Sequence, residues 1–214
     1  YPIFGEGGCK KLAEEVKGID GIIGTRRWID MPDLVRALRS EPGHPRYHLP
    51  ESPTIGADDQ GVFRVSIQGS SAYLKIADGC RRPCAFCSIP LIKGTQVSRP
   101  IEDIMRDAAH MQAEGIQELI LIAQDTTDYG SDLGLKDGLV RLLEALLPRV
   151  PAIPWIRIMY AYPGFVSDAL IDLMSRSPQI VPYLDMPLQH ASPQILRAMK
   201  RPANMDWVRE TIAK

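Results

Sequence analysis

From residue 72 onward the chain alternates between two hydrophobic periods. Short apolar runs of strand type, AYLKIA (72–77), ELILIA (118–123), WIRIMY (155–160) and PYLDMPL (182–188), are each followed by a segment whose apolar residues recur every three to four positions. The helical segments are IEDIMRDAAHMQAEG, closed by Gly115, and DGLVRLLEALLP, stopped by Pro148. The next two are VSDALIDLMSRS, with Ser167 as N-cap, and SPQILRAMKR, with Ser192 as N-cap and Pro193 at the first helical position, where a missing N–H costs nothing. Four strand and helix units at a pitch of roughly 35 to 40 residues predict a parallel α/β sheet, either open or curled into a barrel. Periodicity does not separate those two shapes.

Before residue 72 the pattern differs. CKKLAEEVKG reads as a helix, IDGIIGT as a short strand with its stop, and DMPDLVRALRS as a second amphipathic helix, so residues 1–40 look like the tail of an α/β domain. Residues 41–71 are rich in Pro, Gly and polar side chains and read as a linker, with one hairpin strand in VFRVSIQ. Residues 72–214 form the third division. The chain starts at Tyr1 and stops at ETIAK, which resembles the middle of a helix, so both ends are expected to be cuts through a longer protein.

Composition changes this picture little. The 214 residues are 45% hydrophobic and 24% charged, values of a soluble globular protein and not of a disordered one. A formal charge of −1 announces no polyanionic partner. No apolar run approaches the ~18 residues that a membrane span needs, so a soluble, cytoplasmic chain without membrane contact is expected.

Chemistry in parallel α/β folds gathers at the C-terminal ends of the strands. The first strand here is followed by GCRRPCAFCSIP, the second by QDTTDYG, the third by YAYPG and the fourth by LQHAS, which would put all four on one rim. Cys80, Cys84 and Cys87 are separated by three and then two residues. A disulfide framework is disfavoured, because three clustered thiols leave one over. Pro83 turns Arg82 away from the helical region, so the segment should be a loop wrapping a centre. Zinc is one candidate occupant, although its sites usually show paired CxxC units or a histidine pair. A cubane iron–sulfur cluster is the other, with three thiolates holding three irons and the fourth iron open to a small molecule.

Cys80, Cys84, Phe86 and Cys87 make the pattern CxxxCxFC, which resembles the signature of the radical S-adenosylmethionine enzymes. YLKIADGCRRPCAFCSIPLIKGTQVSRP, LILIAQDTTDYG and YLDMPLQHASPQILRAMKRP are more closely similar to the methylthiotransferases, and within them to the RimO type, which acts on an aspartate of a small-subunit ribosomal protein. The tRNA adenosine methylthiotransferases of MiaB type usually carry GQN and QSGS where this chain has AQD and QHAS. That leaves the tRNA activity and a non-catalytic zinc module as alternatives.

The resemblance implies a partial radical-SAM (β/α)6-type barrel preceded by the C-terminal part of an α/β methylthiotransferase N-terminal domain. It implies a 4Fe-4S cluster on Cys80, Cys84 and Cys87, S-adenosylmethionine on the open iron, and one-electron cleavage of the sulfonium to a 5'-deoxyadenosyl radical. A flavodoxin or ferredoxin would supply the electron, and the enzyme would be a monomer. Cys9 in GGCKKL resembles the last ligand of a second 4Fe-4S cluster, whose other ligands would lie upstream of Tyr1, but a lone cysteine is as readily a small buried apolar residue.

For the remaining cofactor-binding candidates each role has a plainer alternative. Phe86 would meet the adenine through its backbone, its ring being buried in the barrel. Gln124 and Asp125 would orient the methionine part of the cofactor, or cap a loop. Arg157 should find a carboxylate, either of cofactor or substrate or an internal one such as Asp185. Gln189, His190 and Ser192 could serve the ribose or a proton transfer, with Ser192 also explained as a cap. Lys200 and Arg201 could attract an anionic substrate, or be a solvated helix end. The family's GFPGE-like segment and terminal TRAM domain are not in this sequence, so an exposed apolar sheet edge is expected.

Overall fold

Residues 6–24, 28–41, 46–49 and 66–214 are described by the structure, a computed structural model. In the N-terminal region α1 (Glu6–Glu15) leads into β1 (Gly21–Ile23), and a 3-10 turn over Trp28–Asp30 opens α2 (Met31–Ser40). A strand then appears that the linker reading did not contain. β2 (Arg46–His48) pairs in parallel with β1, Ile22 lying opposite Tyr47. The four residues between Pro45 and Pro50 carry no local strand signal, and β2 exists because β1 offers it a partner. The greater part of the linker, residues 50–65, lies outside the described residues.

The main sheet follows. β3 (Ser66–Gln68) and β4 (Ser71–Lys75) form the expected hairpin. β5 (Ala77–Asp78), α3 (Ile89–Ile92) and β6 (Val97–Ser98) surround the cysteine segment, with β5 and β6 antiparallel. Then come α4 (Ile101–Ala113), β7 (Glu118–Ile122), α5 (Gly138–Leu146), β8 (Trp155–Ile158), α6 (Asp168–Arg176), β9 (Ile180–Leu184), α7 (Pro193–Ala198) and α8 (Met205–Ala213). β9 starts two residues before the apolar run had suggested, and its pairing with β8 carries an irregularity between Ile156 and Ile158.

The sheet order β3-β4-β7-β8-β9 follows the chain, and from β4 onward every pairing is parallel. Register puts Ala72, Leu119 and Ile156 in one row and Leu74, Leu121 and Ile158 in the next, on the same face. All six are fully buried in one apolar cluster with Ile104, Ala108 and Met111 of α4, Leu142, Leu143 and Leu146 of α5, and Leu170 and Leu173 of α6. The alternate positions Tyr73, Lys75, Ile120, Ile122 and Arg157 face the other way. A doubly wound sheet would reverse its strand order and place helices on both faces. Chain-order strands with these helices on one face make a barrel wall, which resolves the ambiguity of the periodicity.

β9 is the free edge of that wall, with Tyr183 exposed. Beside it Met174, Leu184, Met186 and Ile212 line a mainly apolar cavity of about 630 Å³, the exposed edge expected from four strand and helix units. No helix among the described residues is long and apolar enough to cross a membrane.

Candidate functional site

All four segments that follow a strand of the barrel wall meet at one cavity of about 390 Å³. Cys80, Cys84 and Cys87 line it from the segment after β5, Ala123 and Gln124 from that after β7, Tyr160 and Tyr162 from that after β8, and Pro187 and Gln189 from that after β9. Lys75 and Ile122, neighbours in the last paired row of β4 and β7, line it from the sheet. The volume falls within the usual range for small-molecule sites, roughly 300–1,000 Å³.

Between β5 and α3 the cysteine segment is irregular, as Pro83 requires. Gly79 opens it at φ +80, where a Cβ would stand 2.3 Å from the Thr95 carbonyl oxygen. No side chain fits under the backbone of Gly94 and Thr95 that crosses there. The approach lets the Cys80 N–H donate to the Gly94 carbonyl at 3.0 Å. Cys87 N–H closes a turn onto the Cys84 carbonyl at 3.1 Å, and Ala85 N–H reaches the Met199 carbonyl at 3.0 Å, tying the loop to the segment after α7. Burial pushes the Cys80 thiol up, against the Arg82 N–H that donates to its sulfur at 3.4 Å.

Cations surround the thiols. Arg82 donates through Nε to Asp125 at 2.7 Å and packs over the rings of Phe165 and Tyr162, 3.7 and 4.6 Å from their centroids. Arg201 also lies over the ring of Tyr162, 4.2 Å from its centroid, with Nη1 3.6 Å from the Cys84 sulfur. The Tyr162 hydroxyl lies 3.6 Å from the same sulfur, and burial pushes its phenol up to about 12, so it remains a proton donor.

The donor set distinguishes the two candidate occupants. A structural zinc is closed by four protein ligands, whereas this cavity is lined by three thiols with no histidine and no carboxylate. Among the described residues no three histidine, cysteine or acidic side chains are grouped as ligands of one ion. Three soft donors spread around a cavity fit a larger body such as a cubane cluster. Gln124 adds a second fit, since its Oε1 is buried without a partner and needs a donor from whatever fills the space.

Residues 74–214, about two thirds of the chain, match the Radical SAM superfamily. The chain belongs to that superfamily. A 4Fe-4S cluster and S-adenosylmethionine are the cofactors that membership brings. The chain is 43% identical to the ribosomal protein uS12 methylthiotransferase RimO of Roseiflexus sp. (strain RS-1), over 94% of this chain and 46% of that protein. It is 44% identical to the protein of the same name from Chloroflexus aurantiacus, over 93% of this chain and 46% of that one. The Herpetosiphon aurantiacus relative is 53% identical over 65% of this chain and 30% of its own length. The chain thus spans about half the length of the curated relatives it matches. Among solved structures, the radical S-adenosylmethionine methyltransferase TsrM from Kitasatospora setae aligns with a TM-score of 0.49 and 16% identity, over 62% of this chain and 24% of that one.

Seen in a radical SAM protein, the expected site residues divide. Cys80, Cys84, Cys87, Phe86, Gln124 and Gln189 share the cavity. Phe86 is 55% exposed, so its ring is not buried in the barrel: the turn over Ala85 and Phe86 holds it outward at the mouth. Asp125 does not line the cavity, because Arg82 and Thr127 occupy its two oxygens. Arg157 pairs with Glu118 at 2.6 Å, at the start of β7 and away from the rim, and packs on Tyr183. Its partner is therefore neither Asp185 nor a cofactor carboxylate. Asp185 instead accepts from the Tyr160 N–H at 3.0 Å.

Ser192 caps α7 without a side-chain bond, and its N–H is taken by Nδ1 of exposed His190 at 2.8 Å. Lys200 is exposed, whereas Arg201 is only 8% exposed and is no solvated helix end. Cys9 is buried in α1 and does not line this cavity. Arg82, Tyr160 and Tyr162 were not singled out from the sequence. An arginine inside a cysteine loop and two tyrosines directly after a strand were the available signals.

Proposed function

We propose that this chain carries the cofactor-cleaving barrel of a methylthiotransferase that adds a methylthio group to the β-carbon of an aspartate in small-subunit ribosomal protein uS12. One observation carries the reading: three cysteines of one loop line a single cavity with no fourth protein ligand among the described residues and with an unpartnered Gln124 oxygen beside them. The names of the RimO relatives support the choice of substrate. Cys80, Cys84 and Cys87 would hold the cluster through their three thiolates, and the rest of the cavity would take S-adenosylmethionine. Bound there, the cluster supplies one electron to the sulfonium.

The protein's own part is positional. Gln124 would accept from an amino N–H of the cofactor, the backbone at Phe86 would meet the adenine, and Gln189 would close the cavity from the segment after β9. Asp125 acts through Arg82, and Arg157 and Ser192 serve the scaffold around the cavity. Cys9 would contribute to a second 4Fe-4S cluster together with ligands outside this sequence. A flavodoxin or ferredoxin is the fitting electron donor, and a cytoplasmic monomer is the fitting form.

Anaerobic iron and sulfide reconstitution, followed by electron paramagnetic resonance of the reduced protein with and without S-adenosylmethionine, tests the site. A cubane signal that shifts with the cofactor and disappears in Cys84→Ser is expected. Stoichiometric zinc in a colourless protein would overturn the reading. The whole protein, offered uS12 and tRNA separately, should add the methylthio mass to uS12; gain on tRNA alone would assign the sister activity.

A further inference from the structure

The cavity is lined by three cations, and two of them have carboxylate partners. Lys75 stands 2.9 Å from Asp78, and Arg82 donates to Asp125 at 2.7 Å. Arg201, although 8% exposed, has no carboxylate partner among the described residues: Nη2 donates to the Pro187 carbonyl, Nη1 lies 3.6 Å from the Cys84 sulfur, and Nε is buried with no partner among them. A buried guanidinium left this way is costly unless an anion completes it. The anion its geometry selects is the Cys84 thiolate.

A second donor aims at the same sulfur. The Tyr162 hydroxyl is 3.6 Å from Cys84, and the guanidinium groups of Arg82 and Arg201 both pack against its ring, 4.6 and 4.2 Å from the centroid. Arg201 is fixed from its own side, since its N–H bonds to the Leu196 carbonyl at 2.8 Å and Met199 accepts from Ala85 of the cysteine loop at 3.0 Å. The other two thiols are treated differently. Among the described residues Cys80 receives only the Arg82 backbone N–H at 3.4 Å, and none donates to the Cys87 sulfur.

We infer that Arg201 and Tyr162 are positioning residues for the cluster, which hold a positive charge and a hydroxyl proton against one of its three thiolates and so raise its reduction potential. The inference rests on the cluster reading of Cys80, Cys84 and Cys87. Three thiolates on a 4Fe-4S core of charge 2+ give a net charge of −1, and one electron from a low-potential carrier brings it to −2. Added negative charge is favoured by a nearby cation and by hydrogen bonds to the sulfurs. With both donors on Cys84, the irons become electrostatically unequal. The pair thus brings the cluster within reach of a biological one-electron donor.

The test is a potentiometric titration of the reconstituted protein, monitored by electron paramagnetic resonance, with titanium(III) citrate as reductant. Arg201→Met should hold four irons and show a midpoint potential displaced to more negative values. Arg201→Lys should recover part of the displacement, and Tyr162→Phe, which keeps the stacked ring, should show a smaller displacement of the same sign. If Arg201→Met does not hold a cluster, Tyr162→Phe alone decides. Unmoved potentials in cluster-loaded Arg201→Met and Tyr162→Phe, or a displacement in Tyr162→Phe to more positive values, would overturn the inference. A wild-type chain that takes up no iron–sulfur cluster would instead sink the reading on which it rests.

Discussion

Arg82, in the cysteine loop, donates through Nε to the Asp125 carboxylate at 2.7 Å, joining the segment after β5 to the segment after β7. Both partners are nearly dry, the Asp125 side chain being 1% exposed. The aromatic faces of Phe165 and Tyr162 cover the guanidinium. The loop that carries the thiols is thus tied to the segment that follows the neighbouring strand β7.

That pair sets the first prediction. Arg82→Leu removes one partner and leaves a buried carboxylate with only Thr127, which costs about 3–5 kcal/mol. Asp125→Asn keeps a hydrogen bond and should cost less. Urea denaturation of the two variants measures this, and iron retention after reconstitution should fall further in Arg82→Leu than in Asp125→Asn. An unchanged denaturation midpoint in Arg82→Leu would mean that the pair does not couple the two loops.

A second prediction concerns acid. Burial alone would raise the Asp78 carboxyl, but Lys75 at 2.9 Å and Lys93 at 3.3 Å outweigh it and hold the group below the ordinary carboxylate value. A depressed folded value means that the stabilisation is fully present above the unfolded value near ~4 and is lost as pH falls through the lower folded one. Asp78→Asn should therefore be less stable than wild type at pH 7, with a gap that narrows toward pH 3. Thermal melts at the two pH values check it, and a gap of equal size at both would refute it.

What could be read before the fold was known divides along the range of the interaction. The strands and helices after residue 72 depend on local periods, and the Ser167 cap, whose hydroxyl accepts from the Leu170 N–H at 3.2 Å, depends on three residues. The convergence of four loops followed from the parallel architecture. Partner choice did not follow. Arg82 and Asp125 lie 43 positions apart, Arg201 and Cys84 lie 117 apart, and Arg157 meets Glu118 because β7 and β8 are neighbours in register. No period encodes those pairings. The same holds for β2, whose only reason to be extended is β1, and for Phe86, whose exposure is fixed by the turn before Cys87.

The last prediction comes from backbone strain at the cavity. Tyr160 adopts φ +59 and Gln189 φ +69, in the left-handed region, and both line the site. Non-glycine residues there cost about 1–2 kcal/mol and persist only where the surroundings over-determine them. For Tyr160 the constraints are visible: its N–H donates to Asp185 at 3.0 Å, and its carbonyl accepts from the Thr126 N–H at 3.1 Å. Those bonds hold the ring at the cavity wall, 46% exposed, where an apolar contact with a bound cofactor would offset the strain. Tyr160→Gly removes strain and ring together. Its stability should equal or exceed wild type by about 1 kcal/mol, while affinity for S-adenosylmethionine falls about tenfold. Tyr160→Ala keeps the strain and should be less stable than Tyr160→Gly, an inversion of the usual order. Equilibrium binding to the reconstituted protein, with denaturation of the same samples, separates the two effects. Undiminished affinity in Tyr160→Gly would mean that the strained backbone serves the loop and not the ligand.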